Sequence, residues 1–193
     1  MATDANGVDG VSPETAAPRS ASGDRRRSVR PGVLVSLLLI AGLVVLADQA
    51  AKAWALAALP FDVRTPVIGD LLVFRRVDNP GAAFSLASGS TWIFSIIAVA
   101  VVVFLIGFAP RIRRVVWGVL FGLLLGGTVG NLTDRLTRPP GFGVGHVVDF
   151  IQIPLLPAIF NVADVAIVSS MCLFVLLTIL GVSIDGSKRP ERG

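Results

Sequence analysis

Tyrosine is absent from the 193 residues, cysteine and histidine occur once each, and no glutamate lies between Glu14 and Glu191. The lone Cys172 excludes an intramolecular disulfide framework and any multi-cysteine zinc or iron–sulfur site. The lone His146 excludes paired-histidine metal motifs and, with the missing glutamates, His-Glu-x-x-His proteolysis. A Ser–His dyad would have to use His146, and no Gly-x-Ser-x-Gly elbow accompanies it. Charge is scarce as well. Charged residues make up 16% and hydrophobic residues 53% of the chain, against about 25% and 45–50% in soluble domains. With a mean hydropathy of +0.77, an ordinary water-soluble enzyme is excluded and a membrane protein is indicated.

The net charge of +4 acquires meaning only once the charges are placed. Residues 1–30 are rich in Ala, Ser, Gly and Pro and carry five Arg. Such a segment cannot bury enough apolar surface to order itself, and a disordered tail is expected. Arg25-Arg26-Arg27 and Arg30 end directly before an apolar run that is long enough to span and has no small-residue cleavage site. They read as a basic membrane flank rather than a twin-Arg export signal or a nucleic-acid patch.

Four apolar segments follow, at about 33–54, 91–109, 115–133 and 162–184, each near the roughly 20 residues a span requires. With four spans, eleven of the 17 basic residues fall on one side, including Arg111, Arg113 and Arg114 in a tight turn. The positive-inside tendency places that side, and both termini, in the cytoplasm. The two longer loops then face outward. In residues 61–79, Val67-Ile68 and Leu71-Leu72-Val73-Phe74 flank Gly69-Asp70 and predict a small β-hairpin. Residues 138–160 mix prolines with apolar residues and predict an apolar loop or short amphipathic element at the membrane surface.

An ionisable residue in a span costs about 2.5–3.5 kcal/mol on insertion scales, so each needs a reason. Asp48, Asp134, Asp149 and Asp164 all fall near the outer ends of spans or in the outer loop, so four carboxylates converge on one depth. Asn131, Asp134 and Arg135 share a face if the third helix extends that far. They read either as a helix-end cluster, with Asp134 paired to Arg135 or Arg138, or as part of a site. Gly126-Gly127 and Gly130 indicate close helix contact. Asn161 with Asp164 reads as an N-cap and first-turn acid, and equally as part of a site. Asp149 lies between Val148 and Phe150, a setting that desolvates a carboxylate and raises its pKa. Two such carboxylates brought together would share a proton and activate water, although spacing alone does not bring them together. Cys172 is expected to be a packing residue in the fourth span. A transporter would place polar groups at the midplane and often show inverted repeats, and neither is evident. A non-catalytic scaffold is the other alternative.

These residues resemble a known family, the bacterial prolipoprotein signal peptidases or signal peptidase II enzymes. The resemblance rests on Asp48-Gln49, Asn79-Pro80-Gly81-Ala82-Ala83-Phe84-Ser85, Gly126-Gly127 with Gly130-Asn131-Leu132-Thr133-Asp134-Arg135, Val147-Val148-Asp149-Phe150 and Phe160-Asn161-Val162-Ala163-Asp164. Their order covers about residues 35–183. The resemblance implies an all-α polytopic membrane protein with four transmembrane helices, an extracytoplasmic β-hairpin or cradle, and an interfacial helix or loop. It implies an aspartyl endopeptidase that cuts diacylglyceryl-modified prolipoproteins just before the lipidated cysteine and is blocked by globomycin. Asp149 and Asp164 match the catalytic pair. Asp48, Asn79, Gly81, Asn131, Asp134, Arg135, Asn161 and Ala163 match supporting or substrate-contacting positions. The expected partners are lipid-modified signal peptides and membrane lipids, without nucleic acid, metal or cofactor, and the chain is expected to act as a monomer. One departure stands out: the stretch from Arg135 to His146, with Pro139-Pro140-Gly141, is longer than the connection common in the family.

Overall fold

The computed structural model describes residues 30–81, 91–156 and 158–185. Of the expected tails at 1–30 and 185–193, residues 1–29 and 186–193 lie outside the described residues, as do Ala82 to Ser85 of the second motif. Four helices are long and apolar enough to cross a membrane: α1 (Pro31–Ala58), α2 (Thr91–Phe108, continued by a 3-10 turn Ala109–Arg111), α3 (Val115–Thr137) and α4 (Val162–Ile179). Pro31 opens α1 at a position where its missing N–H costs nothing. With 28 residues, α1 is about 42 Å long, beyond the roughly 30 Å hydrocarbon core. Asp48 and Lys52 lie in its last three turns.

Helix α3 is the centre of the bundle: 56% of its most apolar stretch is buried, against 17–22% for the other three. Its sequence explains why. A Cβ added at Gly122 or Gly126 would sit 2.8 Å from the Leu37 carbonyl oxygen or 2.7 Å from that of Ala41, and one at Gly127 would sit 2.5 Å from the Ala163 carbonyl oxygen. Glycines on two faces of α3 thus let α1 and α4 approach to backbone contact, the small-residue packing that membrane helices use. Apolar side chains fill the rest of that interior, chiefly Leu37, Leu105, Trp117, Leu120, Phe121 and Leu177. Leu38, Leu43, Phe104, Ile106, Val168 and Leu176 point outward and exposed, faces suited to lipid.

At one end of the bundle an Arg30 guanidinium N–H donates to the Arg113 carbonyl, and the Arg113 N–H to that of Ile184. The start of α1, the α2–α3 turn and the end of α4 are therefore together. At the other end lies a four-stranded antiparallel sheet in the order β1 (Thr65–Ile68), β2 (Leu72–Asn79), β3 (Val147–Gln152) and β4 (Ile159–Phe160). The predicted hairpin is β1–β2, turning at Gly69 with φ +48°. The loop 138–160, expected to be irregular or amphipathic, instead supplies β3 and β4, so the cradle has two strands more than the hairpin alone. Trp54, Phe74 and Phe150 pack edge to face between α1 and the sheet.

Some boundaries differ from those expected. Helix α4 ends at Ile179 rather than 184, because Gly181 (φ +65°) closes a glycine cap in which the Val182 N–H reaches the Leu177 carbonyl. Cys172 is exposed on the outer face of α4 and does not pack in the core. A small thiol is equally at home on an apolar exterior.

Candidate active site

Site residues come from α1, β2, α3, β3 and α4 where the bundle meets the sheet. Asp149 projects from β3. Phe150, its neighbour, packs on Ala55 and Leu59, so alternation along the strand turns Asp149 to the opposite face. Val77 is its cross-strand partner, which leaves Asn79 diagonally adjacent on the same face. The Asn79 side-chain N–H donates to Asp149 Oδ2 at 2.8 Å. Asn79 is itself held by the Gly81 N–H, which donates to its Oδ1 at 2.8 Å. Gly81 has φ +94°, and a Cβ there would meet the Phe94 ring at 2.6 Å, so glycine is required on both counts.

Asp164 stands in the first turn of α4. Asn161 caps the helix, accepting from the Asp164 N–H at 2.9 Å, while the Asn161 N–H donates to Asp164 Oδ2 at 3.2 Å. This reciprocal box satisfies two backbone donors that a helix start leaves open. Capping and site-building are not alternatives here. The side-chain amide of Asn161 also donates to Asp149 Oδ1 at 2.7 Å and to Asn131 Oδ1 at 3.0 Å. Asn131 in turn donates to Asp164 Oδ1 at 2.7 Å. Both carboxylates, fifteen residues apart in sequence, are therefore joined through one asparagine, and each of their four oxygens accepts an N–H.

A second layer lies beneath. Lys52 is fully buried, with its ammonium 2.8 Å from Asp48 Oδ2, 2.8 Å from Asp134 Oδ2 and 3.0 Å from Asn131 Oδ1. Arg138 reaches Asp134 Oδ1 at 2.6 Å, so Asp134 pairs with Lys52 and Arg138 rather than with Arg135. Asp48 Oδ1 accepts the Ala163 N–H at 2.9 Å, tying α1 to the start of α4. The fully buried Ala163 leaves room for that contact. Arg135 places its guanidinium 5.2 Å from the centre of the Phe94 ring. Its Nη1 has no hydrogen-bond partner among the described residues.

The structure thus gathers all ten residues singled out in the sequence. Lys52 and Gln49 were not among them. Gln49 Nε2 lies 3.1 Å from Asp48 Oδ2 and 3.1 Å from the Gly130 carbonyl. A lysine four residues after an aspartate in an apolar helix was the available signal, because a membrane charge demands a partner. Burial pushes the Asp149 carboxyl up to about 6, the nearby Asp164 charge adds to the rise, and the Asn79 and Asn161 donors oppose it. The described residues hold no group of three or more potential His, Cys, Asp or Glu metal ligands. The chemistry on offer is that of two neighbouring carboxylates able to share a proton.

A family model described as signal peptidase (SPase) II matches residues 40–180. A lipoprotein signal peptidase of Leifsonia xyli is 56% identical over 87% of this chain and 78% of its own length. Another, from Mycobacterium tuberculosis, is 39% identical over 85% of this chain and 81% of its own. A solved structure described as a bacterial membrane enzyme, at 2.3 Å resolution, superposes with a TM-score of 0.68 at 27% identity and covers 85% of this chain and 98% of that one. The order of the motifs, the four spans and these matches lead to one assignment: the chain belongs to the signal peptidase II family, the multi-pass membrane proteases of lipoprotein processing.

Proposed function

We propose that the chain is an intramembrane aspartyl endopeptidase that cuts lipid-modified prolipoproteins just before the lipidated cysteine, with Asp149 and Asp164 as the catalytic pair. The observation that carries this reading is Asn161, which donates its side-chain N–H to one carboxylate and its backbone N–H to the other. Held this way, the pair shares a proton and binds a water. The ionised carboxylate takes a proton as the water oxygen attacks the scissile carbonyl, and the protonated carboxyl donates to the carbonyl oxygen. Collapse of the resulting diol breaks the C–N bond as the departing nitrogen is protonated. Products are the signal-peptide carboxyl and the free amine of the lipidated cysteine, and the pair regains its single proton.

An apolar groove of about 360 Å³, lined by Leu156, Ala158, Phe160, Val165, Val168 and Ser169, opens at Asp164. It suits a signal-peptide segment whose lipid chains stay in the bilayer. Arg135, Asn79 and Gly81 border the substrate, and Arg135 Nη1, without a partner among the described residues, donates to a substrate carbonyl. Asp48, Asp134, Asn131, Asn161 and Ala163 hold the frame. The chain works as a monomer with both termini in the cytoplasm and the pair near the outer leaflet, following the Lys and Arg distribution. In purified enzyme with a lipidated precursor peptide, Asp149→Asn and Asp164→Asn each abolish cleavage. Turnover retained by either variant would refute the pair.

A further inference from the structure

Lys52 has more contacts than charge balance requires. Its ammonium has three hydrogens and no acceptor. Two go to Asp48 and Asp134, which already compensate the buried charge, and the third goes to Asn131 Oδ1. That third contact dictates how Asn131 lies. With its oxygen turned to a group that can only donate, its NH2 must face Asp164, which it reaches at 2.7 Å. Cation, amide and carboxylate form an unbroken path, and a cation on the amide oxygen strengthens donation from the other end.

The rest of the surroundings are consistent with an asymmetric pair. The charged groups acting on Asp164 are Lys52 and Asp48 from α1, Arg135 from α3 and Asp149 from β3. Neither α2 nor β4 carries a charged residue, and β2 contributes the neutral Asn79. Asp164 also sits at the positive end of α4. Asp149 is on a strand; Lys52 also acts on it through space, but its amide donors Asn79 and Asn161 are not themselves bonded to a cation. Arg135 acts on both carboxylates, more strongly on Asp149 than on Asp164, so the asymmetry comes from Lys52 and Asn131 and not from Arg135.

We propose, building on the aspartyl reading above, that Lys52 is a positioning residue that acts through Asn131 to keep Asp164 ionised, as the base, and leaves the shared proton on Asp149.

Removing Lys52 alone would leave the buried Asp48 carboxylate without its cation, so the test uses an Asp48→Asn background. Asp134 there keeps Arg138, and the new amide oxygen can still accept the Ala163 N–H. Full-length enzyme in lipid nanodiscs is assayed with a lipidated precursor peptide across pH, comparing D48N, D48N/K52M and D48N/K52Q. Loss of the cation raises the acidic limb of kcat/KM by about 1 pH unit relative to D48N, the low end of what an opposite charge at about 4–6 Å does. A lower kcat with an unmoved limb, in either neutral variant that folds, overturns the proposal. Failure of both to fold, with Lys52→Arg folded and active, assigns Lys52 to the fold alone and overturns it too. Either outcome leaves the catalytic pair standing. The pair itself falls only if Asp149→Asn or Asp164→Asn still turns over.

Discussion

Gly127→Ala tests whether the interhelical distance set by α3 is what places the proposed catalytic pair, Asp149 and Asp164. The added Cβ would lie 2.5 Å from the Ala163 carbonyl oxygen and 2.7 Å from Ile167 Cγ1. Ordinary carbon contacts are about 3.5–4.0 Å, so the first turn of α4 must retreat by about 1 Å. Three contacts span that gap: the Ala163 N–H to Asp48 at 2.9 Å, Asn131 to Asp164 at 2.7 Å, and Asn161 to Asn131 at 3.0 Å. A retreat of that size carries all three beyond useful hydrogen-bond length. Overpacking costs about 1–3 kcal/mol, and replacing a helical glycine by alanine returns about 1 kcal/mol, so the net loss of stability is modest. The effect on rate is larger, because a misplacement near 1 Å can cost about 10²-fold. Gly42→Ala is the control, since nothing lies within 4 Å of its added Cβ. Cleavage of a lipidated precursor and thermal unfolding in detergent are measured on all three proteins. The expected result is a kcat lowered about 10²-fold in Gly127→Ala, a small fall in Tm, and wild-type behaviour in Gly42→Ala. A Gly127→Ala enzyme within about threefold of wild type would refute the reasoning.

Other consequences follow from the same geometry. The Asp149 carboxyl is raised from 3.8 to about 6, so between those values the folded state binds more protons than the unfolded state. Stability from this group is present at low pH and falls as pH rises through that window, by at most about 3 kcal/mol. Thermal unfolding from pH 4 to pH 7 measures it, and Asp149→Asn flattens that part of the slope; an unchanged slope would contradict the assignment. Asn161→Ala removes the helix cap, worth about 1 kcal/mol, and separates the two carboxylates. It should reduce kcat by at least the roughly 10²-fold expected of misplacement while KM changes little, and a loss confined to Tm would limit Asn161 to capping.

The spans were legible because lipid leaves a helix few alternatives: a segment such as Thr91–Phe108, without one charge, must satisfy its backbone internally. The β1–β2 hairpin was legible from Gly69 between two apolar runs. Strand β3 was not, because Val147, Val148, Asp149 and Phe150 are all buried, and a strand covered on both faces loses the alternation that would reveal it. The meeting of Asp149 with Asp164 was equally hidden. It depends on a strand register and on where Asn161 caps α4, and neither is encoded in spacing along the chain. Lys52 was hidden for a different reason: counted among outer-side charges, it looked like part of the topology, whereas its burial between Asp48 and Asp134 makes it part of the site.

Scarcity of charge is what made the remaining polar residues informative. In a chain with abundant surface charge, Asn131, Asp134 and Arg135 would be three polar residues at the end of a helix. Here they follow the glycines of α3 within a turn, and the two features act together. Gly127 and Gly130 bring the backbone of α4 and the Asp48 carboxylate against α3. Asn131 then reaches Asp164, and Asp134 reaches Lys52. Close packing buries Asp48, Lys52, Asp134 and Asn161 completely, and burial makes every unpaired group there costly. That layer therefore has to be paired, and the connected set of donors that these helices assemble holds two acids in fixed surroundings. The same helix that sets the spacing of the bundle thus sets the geometry of the carboxylates.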